Sequence, residues 1–279
     1  MNTLRLGWIG WLSIIIVNVF LWAPLVVIGM LGFSDANSMT FPPPTYSTRW
    51  LSSLVTDPLW THSISTSLWI GVITVILSVV LGVPLGLGLA RGQLGKWPAV
   101  QALVAAPLIL PAISLAIGFY FVSARLQILD SMLPLILSHT TVGISFMVAT
   151  VSAAARSVDN ALEPAARTLG ASFLRSIWDV TLPMILAGVI GGAVLAFLHS
   201  WDDVVSALML GTARIQPFPL KLWAEMQHVL NPVAATAAVL LSGVGIGLFG
   251  LAALIVLLRS KRMPAGQASG ILLRHGAGE

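Results

Sequence analysis

Cysteine is absent from the 279 residues, tyrosine occurs twice, and Asp, Glu, Lys and Arg together make up 9% of the chain. The first absence excludes a disulfide framework, a thiol nucleophile and a cysteine-ligated metal site. The shortage of charge excludes more, because a water-soluble domain carries roughly a quarter of its residues as charged side chains. In their place stand 57% hydrophobic residues, gathered into long runs, with a mean hydropathy of +0.95. Such a chain is an all-α integral membrane protein. Each helical crossing of a bilayer core about 30 Å thick takes roughly 20 apolar residues.

The apolar runs predict six transmembrane helices, at about 7–32, 64–90, 99–122, 132–155, 184–210 and 233–258. The first run is longer than the roughly 7–15-residue core of a cleavable signal and reads as an uncleaved anchor. Between the first two, Pro42, Pro43 and Pro44 forbid a helix, whereas Trp50, Leu51, Leu54 and Trp60 suit a helix lying flat at the membrane surface. An even number of crossings puts both termini on one side. With the N-terminus cytoplasmic, that side holds ten basic residues (Arg5, Arg91, Lys96, Arg156, Arg167, Arg175, Arg259, Lys261, Arg262 and Arg274) against four outside (Arg49, Arg125, Arg214 and Lys221). Pro84, Pro107 and Pro111 predict kinks, and the glycines of "LGVPLGLGLA" and "SGVGIGLFG" predict close helix–helix approach.

One stretch interrupts this pattern: "NALEPAARTLGASFLRSIWDVTLP", from Asn160 to Pro183. Leu162, Ala166, Leu169, Phe173, Ile177 and Val180 recur every three or four residues, opposite Arg167, Ser172, Arg175 and Asp179. Asn160 with Glu163 suits a capping box, and Pro164 belongs in a first helical turn. Gly170 then reads as a C-terminal cap and Ser172 as the N-cap of a second short helix ending at Leu182-Pro183. Two readings stay open on these residues alone: surface helices lying on the membrane, or a docking element joined to two transmembrane helices.

Pro164-Ala165-Ala166, Gly170 four residues on, and Val180-Thr181-Leu182-Pro183 after nine more stand at the spacing of a signature loop. They resemble the Glu-Ala-Ala…Gly…Ile-x-Leu-Pro loop of the membrane subunits of binding-protein-dependent ABC importers. Two positions depart from it: Pro164 stands at the family's glutamate, with Glu163 one place earlier, and Val180 stands at its isoleucine. "FPPPTYSTRW", "LGVPLGLGLAR", "APLILPAISLAIG", "LAFLHSWDDVVSALMLGT" and "FPLKLWAEMQ" are similar to the spermidine/putrescine-type permeases within that family.

The resemblance implies a type I ABC importer permease fold with six transmembrane helices and a cytoplasmic coupling-helix loop. It divides the chain into an N-terminal anchor helix and external loop (1–62), a five-helix permease core (63–258) with the coupling loop at 157–183, and a basic cytoplasmic tail (259–279). Glu163, Pro164, Ala165, Ala166, Leu169, Gly170, Ala171, Phe173, Leu182 and Pro183 would dock on an ATPase. The implied partners are a second, non-identical permease, two cytoplasmic ATPase subunits and an external solute-binding protein, in a bacterial cytoplasmic membrane. The chain itself would be no enzyme and bind no cofactor, ATP and Mg being held by the ATPase subunits. Consistent with that, Gly95-Lys96 lacks the upstream glycine of a P-loop, where Ala90 stands, and is followed by Trp97 instead of Ser or Thr. The solute implied is a polyamine or similar cation; relatives of this subgroup also carry ferric iron or aminophosphonates.

Carboxylates near mid-membrane cost at least about 2.5 kcal/mol each and so mark function. Asp202 and Asp203 therefore stand first among translocation-path residues, with His199, Trp201, Tyr120 and Ser114 beside them and His139 and Ser145 as further polar positions. Capping of a helix break, or a place in water at the outer interface, is the competing reading of the two aspartates. A secondary transporter would show inverted repeats, which are not evident, and a membrane enzyme would gather metal or acid–base ligands, whereas the histidines at 62, 139, 199, 228 and 275 are scattered.

Overall fold

The computed structural model describes residues 7–92, 96–228 and 232–260. Among the described residues every regular element is helical; the one β-type pairing is an isolated bridge between Ser34 and Tyr46. The order is α1 (Trp8–Gly32), α2 (Arg49–Thr56), α3 (Pro58–Ala90), α4 (Pro98–Ile109), α5 (Ala112–Arg125), α6 (Leu133–Arg156) and α7 (Leu162–Thr168). There follow α8 (Phe173–Ser176), a π-helical turn (Ile177–Thr181), α9 (Leu182–Asp202), α10 (Val204–Leu210), α11 (Phe218–His228) and α12 (Pro232–Ser260). Among the described residues, five stretches are long and apolar enough to cross a bilayer: Gly10–Gly32, Pro58–Ala90, Leu133–Arg156, Phe173–Asp202 and Pro232–Leu258. The pair α4 and α5 supplies a sixth if counted as one crossing. The chain is thus a multi-pass membrane protein with five spans, or the expected six if the bent pair counts as one. Most of the predicted basic tail, 261–279, lies outside the described residues.

Three expectations are corrected. The third span is not one kinked helix: the chain bends by 101° between α4 and α5. Pro107 and Pro111 are four residues apart, so two missing N–H donors fall on one helical face, and Pro111 takes an extended ψ of 130° as the residue before α5. Pro84, alone, stays inside an unbroken α3.

The surface helix before the second span is shorter than expected. Asp57 accepts the Leu59 N–H at 2.8 Å and Pro58 takes the first helical position, which starts α3 there and places Trp60 on it. Leu54 and Trp60, expected at the membrane surface, are buried in a core with Trp201 and Phe218.

The fifth span, expected at 184–210, begins at Phe173 and stops at Asp202. Pro183 does not end a short helix; the turn before it widens so that Leu182 N–H reaches back to Ile177 O, and the helix runs through. A π turn shifts the backbone register just where a proline would leave a carbonyl unmatched.

Two interleaved units are each compact. The first comprises Met1–Thr74, Ile109–Thr141 and Phe197–Val244, and its core joins Leu54 and Trp60 to Trp201, Phe218, Leu222, Ala234 and Ala237. α11, absent from the sequence reading, is fixed there by the Phe218 N–H donating to the Ser67 hydroxyl at 2.8 Å. The second comprises Val75–Leu108, Val142–Ala196 and Gly245–Glu279, with Val83, Leu87, Met147, Val151 and Ile185 at its centre.

Small residues set the spacing in the second unit. A Cβ on Gly86 would stand 2.9 Å from Val151 Cγ1, so the glycines of "LGVPLGLGLA" do allow close approach. Those at 243, 247 and 250 meet nothing within 4 Å, and the approach expected of "SGVGIGLFG" is not made there. On α9, a Cβ on Gly188 would stand 2.8 Å from the Thr150 carbonyl oxygen and 2.7 Å from Ala154 Cβ. Gly188→Leu is therefore expected to cost about 1–3 kcal/mol through overpacking. A lowered apparent Tm of the chain purified in detergent would register it; an unchanged Tm would mean that α6 and α9 do not meet at this point.

Candidate functional site

The polar stretch 157–183 folds as a short helix, a glycine turn and the foot of a long one. α7 begins without the expected capping box: Asp159 Oδ1, not Asn160, accepts the nearby Ala161 N–H at 2.9 Å. Glu163 is turned elsewhere. Its Oε2 receives Nη2 of Arg91, the residue after α3, and the Thr181 hydroxyl at 3.1 Å, while Thr181 Oγ1 accepts from the same Nη2 at 3.1 Å.

At the other end, Gly170 has φ +97° and closes the helix as expected. The Gly170 N–H donates to Arg167 O at 3.0 Å and the Ala171 N–H to Ala166 O at 3.1 Å, the paired bonds of a Schellman motif. Ser172 then accepts the Arg175 N–H at 3.3 Å, the predicted N-cap, and α8 leads through the π turn into α9. The apolar stripe read from the sequence is split. Leu162, Ala166, Ile177 and Val180 are partly buried, while Phe173 is half exposed and Leu169 stands 90% exposed at the tip of the turn, with Leu174 and Trp178 also open. Pro164 and Ala165 are exposed, Ala171 is intermediate, and Leu182 and Pro183 lie in the first turn of α9.

The second group lies where α9 stops, within the first unit. Asp203 adopts an extended backbone, and its Oδ1 accepts the N–H groups of Val205 at 2.9 Å and Ser206 at 3.1 Å, capping α10. Its Oδ2 faces His139 Nε2 at 3.5 Å and His199 Nε2 at 4.0 Å. His139, buried on α6, shares a hydrogen bond of 2.8 Å between Nδ1 and Ser200 Oγ, and the two imidazoles meet edge to face at 5.8 Å. Ser138 and Ser206 hydroxyls close the cluster at 3.2 Å.

The remaining sequence-selected residues divide by exposure. Asp202 is exposed, and no hydrogen bond or ion pair of its carboxylate is found among the described residues. Trp201 is a core side chain whose Nε1 donates to Leu241 O at 3.2 Å while its ring packs on Phe197 and Phe218. Ser114 and Tyr120 are exposed on α5, the helix against which α10 packs. Ser145 donates to Val104 O at 2.6 Å, an ordinary interhelical bond. In the sequence Arg91 counts for its charge alone, and nothing there marks Thr181 or Ser200 as members of these two clusters. The pairing of Arg91 with Glu163 spans 72 residues, and no local spacing announces it.

A family model described as "Binding-protein-dependent transport system inner membrane component" matches residues 82–260, which carry both groups. The chain belongs to this family of ABC importer permeases. The permease is 27% identical to the putrescine transport system permease protein PotI of Escherichia coli over 250 residues, covering 87% of this chain and 88% of that one. It is 33% identical over 229 residues to the molybdenum transport system permease protein ModB of Mycobacterium tuberculosis, covering 77% and 84%. With the spermidine/putrescine permease PotC of E. coli the identity is 26%, covering 81% and 85%. Among solved structures, a bacterial ABC transporter that imports alginate superposes with a TM-score of 0.66 at 16% identity, over 87% of this chain and 91% of that one. The MetNI methionine ABC transporter in an inward-facing conformation gives 0.60 at 20% identity, over 73% and 98%. The type I permease fold expected from the signature loop is thus the fold observed, and the relatives are permease subunits rather than enzymes.

Asp203→Ala would leave the Val205 and Ser206 N–H groups of α10 without their acceptor. We expect it to lower the apparent Tm of the permease by an amount corresponding to about 1–2 kcal/mol, whereas Asn, itself a good N-cap, should recover most of the loss. Equal losses for Ala and Asn would assign the stabilisation to charge and not to capping.

Proposed function

We propose that this permease is one of two non-identical membrane subunits of an ATP-driven importer in a bacterial cytoplasmic membrane, and that it carries a polyamine or similar small cation. Both termini lie in the cytoplasm, as the ten-to-four distribution of basic residues supports. Two cytoplasmic ATPase subunits bind and hydrolyse ATP with Mg, and an external solute-binding protein delivers the solute.

The observation that carries this reading is the elbow at 157–183. It is held rigidly by the Gly170 turn and the Ser172 cap, it presents Leu169 and Phe173 to solvent, and it runs without interruption into the 30-residue helical stretch Phe173–Asp202. An exposed apolar tip on a stiff, membrane-crossing lever suits a segment that seats in a cleft of an ATPase and moves with it. Glu163, Pro164, Ala165, Ala166, Leu169, Gly170, Ala171, Phe173, Leu182 and Pro183 form this coupling element. Apolar shape at Leu169 and Phe173 carries the docking, because Pro164 supplies no charge where the family has glutamate.

In the path, Asp202 is the carboxylate that meets a cationic solute, since Asp203 is engaged by α10 and the two histidines. Kinship to a putrescine permease across 87% of the chain supports the cation. Import of an oxyanion is a second reading, favoured by the 33% identity to the molybdenum permease.

The test is uptake by the complete complex, co-purified with its binding protein and reconstituted in proteoliposomes. Putrescine uptake that requires internal ATP and survives collapse of the proton gradient is expected, and Asp202→Asn should raise KM by about tenfold through loss of one charge-assisted contact. Uptake of molybdate, ferric iron or an aminophosphonate instead would overturn the polyamine assignment, and uptake without ATP would indicate a secondary transporter. Gly170→Leu, which forces a side chain into the φ > 0 region at a cost of about 1–2 kcal/mol, should leave ATP hydrolysis running while import falls. Import that kept pace with hydrolysis in that variant would remove the elbow from the coupling path.

A further inference from the structure

We infer that Arg91 is a positioning residue that clamps α7 to the ends of α3 and α9, so that a load applied to the elbow reaches both helices at once. The inference rests on the reading of 157–183 as the coupling element and adds to it a residue outside that stretch.

The starting point is how little else holds α7. None of its side chains is buried, and none belongs to the apolar cluster through which α3, α6 and α9 pack. Beside it lies a cavity of about 430 Å³ lined by Leu87, Arg91, Glu163, Arg167, Phe173 and Thr181 among others, so the helix does not rest flush on the bundle. Across that space the polar contact is continuous. The Arg91 guanidinium donates to both Glu163 Oε2 and Thr181 Oγ1, and the Thr181 hydroxyl donates to Glu163.

The three members belong to three elements: Arg91 directly follows α3, with its backbone N–H on Leu87 O at 3.0 Å, Glu163 sits in the first turn of α7, and Thr181 closes the π turn below α9. The group is also sheltered. The Arg91 and Glu163 side chains are 31% and 15% exposed and Thr181 is 4% exposed, whereas Arg175 and Asp179 of the same loop, 75% and 63% exposed, pair within one helix and join nothing. A sheltered ion pair with a third hydrogen-bonding partner resists exchange with water far better than an open one.

Removing the Arg91 side chain should therefore let α7 move without carrying α3. The experiment measures ATP hydrolysed per solute imported in proteoliposomes holding the whole importer. Arg91→Ala should keep assembly and ATPase activity but raise this ratio about fivefold or more, the low end of ordinary coupling effects. The reversal Arg91→Glu with Glu163→Arg, which restores an ion pair of opposite sense, should bring the ratio back toward that of the wild type. An unchanged ratio in Arg91→Ala would overturn the inference, as would a raised ratio that the reversal does not correct. If Arg91→Ala fails to assemble, Thr181→Val removes one leg of the clamp without disturbing charge, and a wild-type ratio there would equally overturn it. A wild-type importer that takes up solute without ATP would refute the coupling function itself, an outcome distinct from a tightly coupled wild type whose Arg91→Ala variant is equally coupled.

Discussion

Every feature of this permease answers to one constraint: in a bilayer the backbone has no water to bond, so each N–H and C=O must find a partner within the protein. Long helices meet it automatically. Wherever a helix ends, bends or changes pitch, a specific device can take over, and several such points among the described residues show one. Asp203 accepts the free N–H groups of α10, Gly170 closes α7 with a Schellman turn, the π turn adjusts the register ahead of Pro183, and α5 starts afresh after Pro111. The residues at these points are those that a sequence scan for unusual side chains among apolar ones would select, for a structural reason before any functional one.

Charge follows the same economy. A carboxylate withdrawn from water needs partners, and Asp203 has backbone donors at Oδ1 and the facing histidines near Oδ2. Glu163 is kept by Arg91 and Thr181. The two clusters stand beside simpler interhelical bonds such as Ser145 to Val104 O and Trp201 to Leu241 O. Asp202 and Leu169 are by contrast exposed.

Local chemistry was legible along much of the chain. Gly170 and Ser172 cap as their types require, because a left-handed turn and a first-turn acceptor are short-range needs that sequence spacing expresses directly. The helix count came from hydropathy for the same reason. Errors arose where a local rule met a competing partner. Asn160 and Glu163 have the spacing of a capping box, yet Glu163 is drawn off by Arg91, 72 residues away. Leu182-Pro183 looks like a stop, yet widening one turn costs less than breaking a helix that α3 and α6 already support through Ile185. Trp60 and Leu54 look like interfacial anchors, yet Phe218 and Trp201 offer them a core.

The sequence by itself determined that the chain is helical, crosses the membrane, and carries the loop that marks the importer permeases, since apolar run length and capping chemistry act within a few residues of where they are written. Tertiary structure alone decided which polar residues are committed and which are free. It separated Asp203, whose Oδ1 caps α10, from its exposed neighbour Asp202, made Trp201 a core residue, and raised Arg91 from one basic loop residue among ten to the partner of Glu163. Those distinctions depend on contacts between segments 60 to 90 residues apart, and no periodicity in a single chain encodes which distant side chain will arrive within 3 Å.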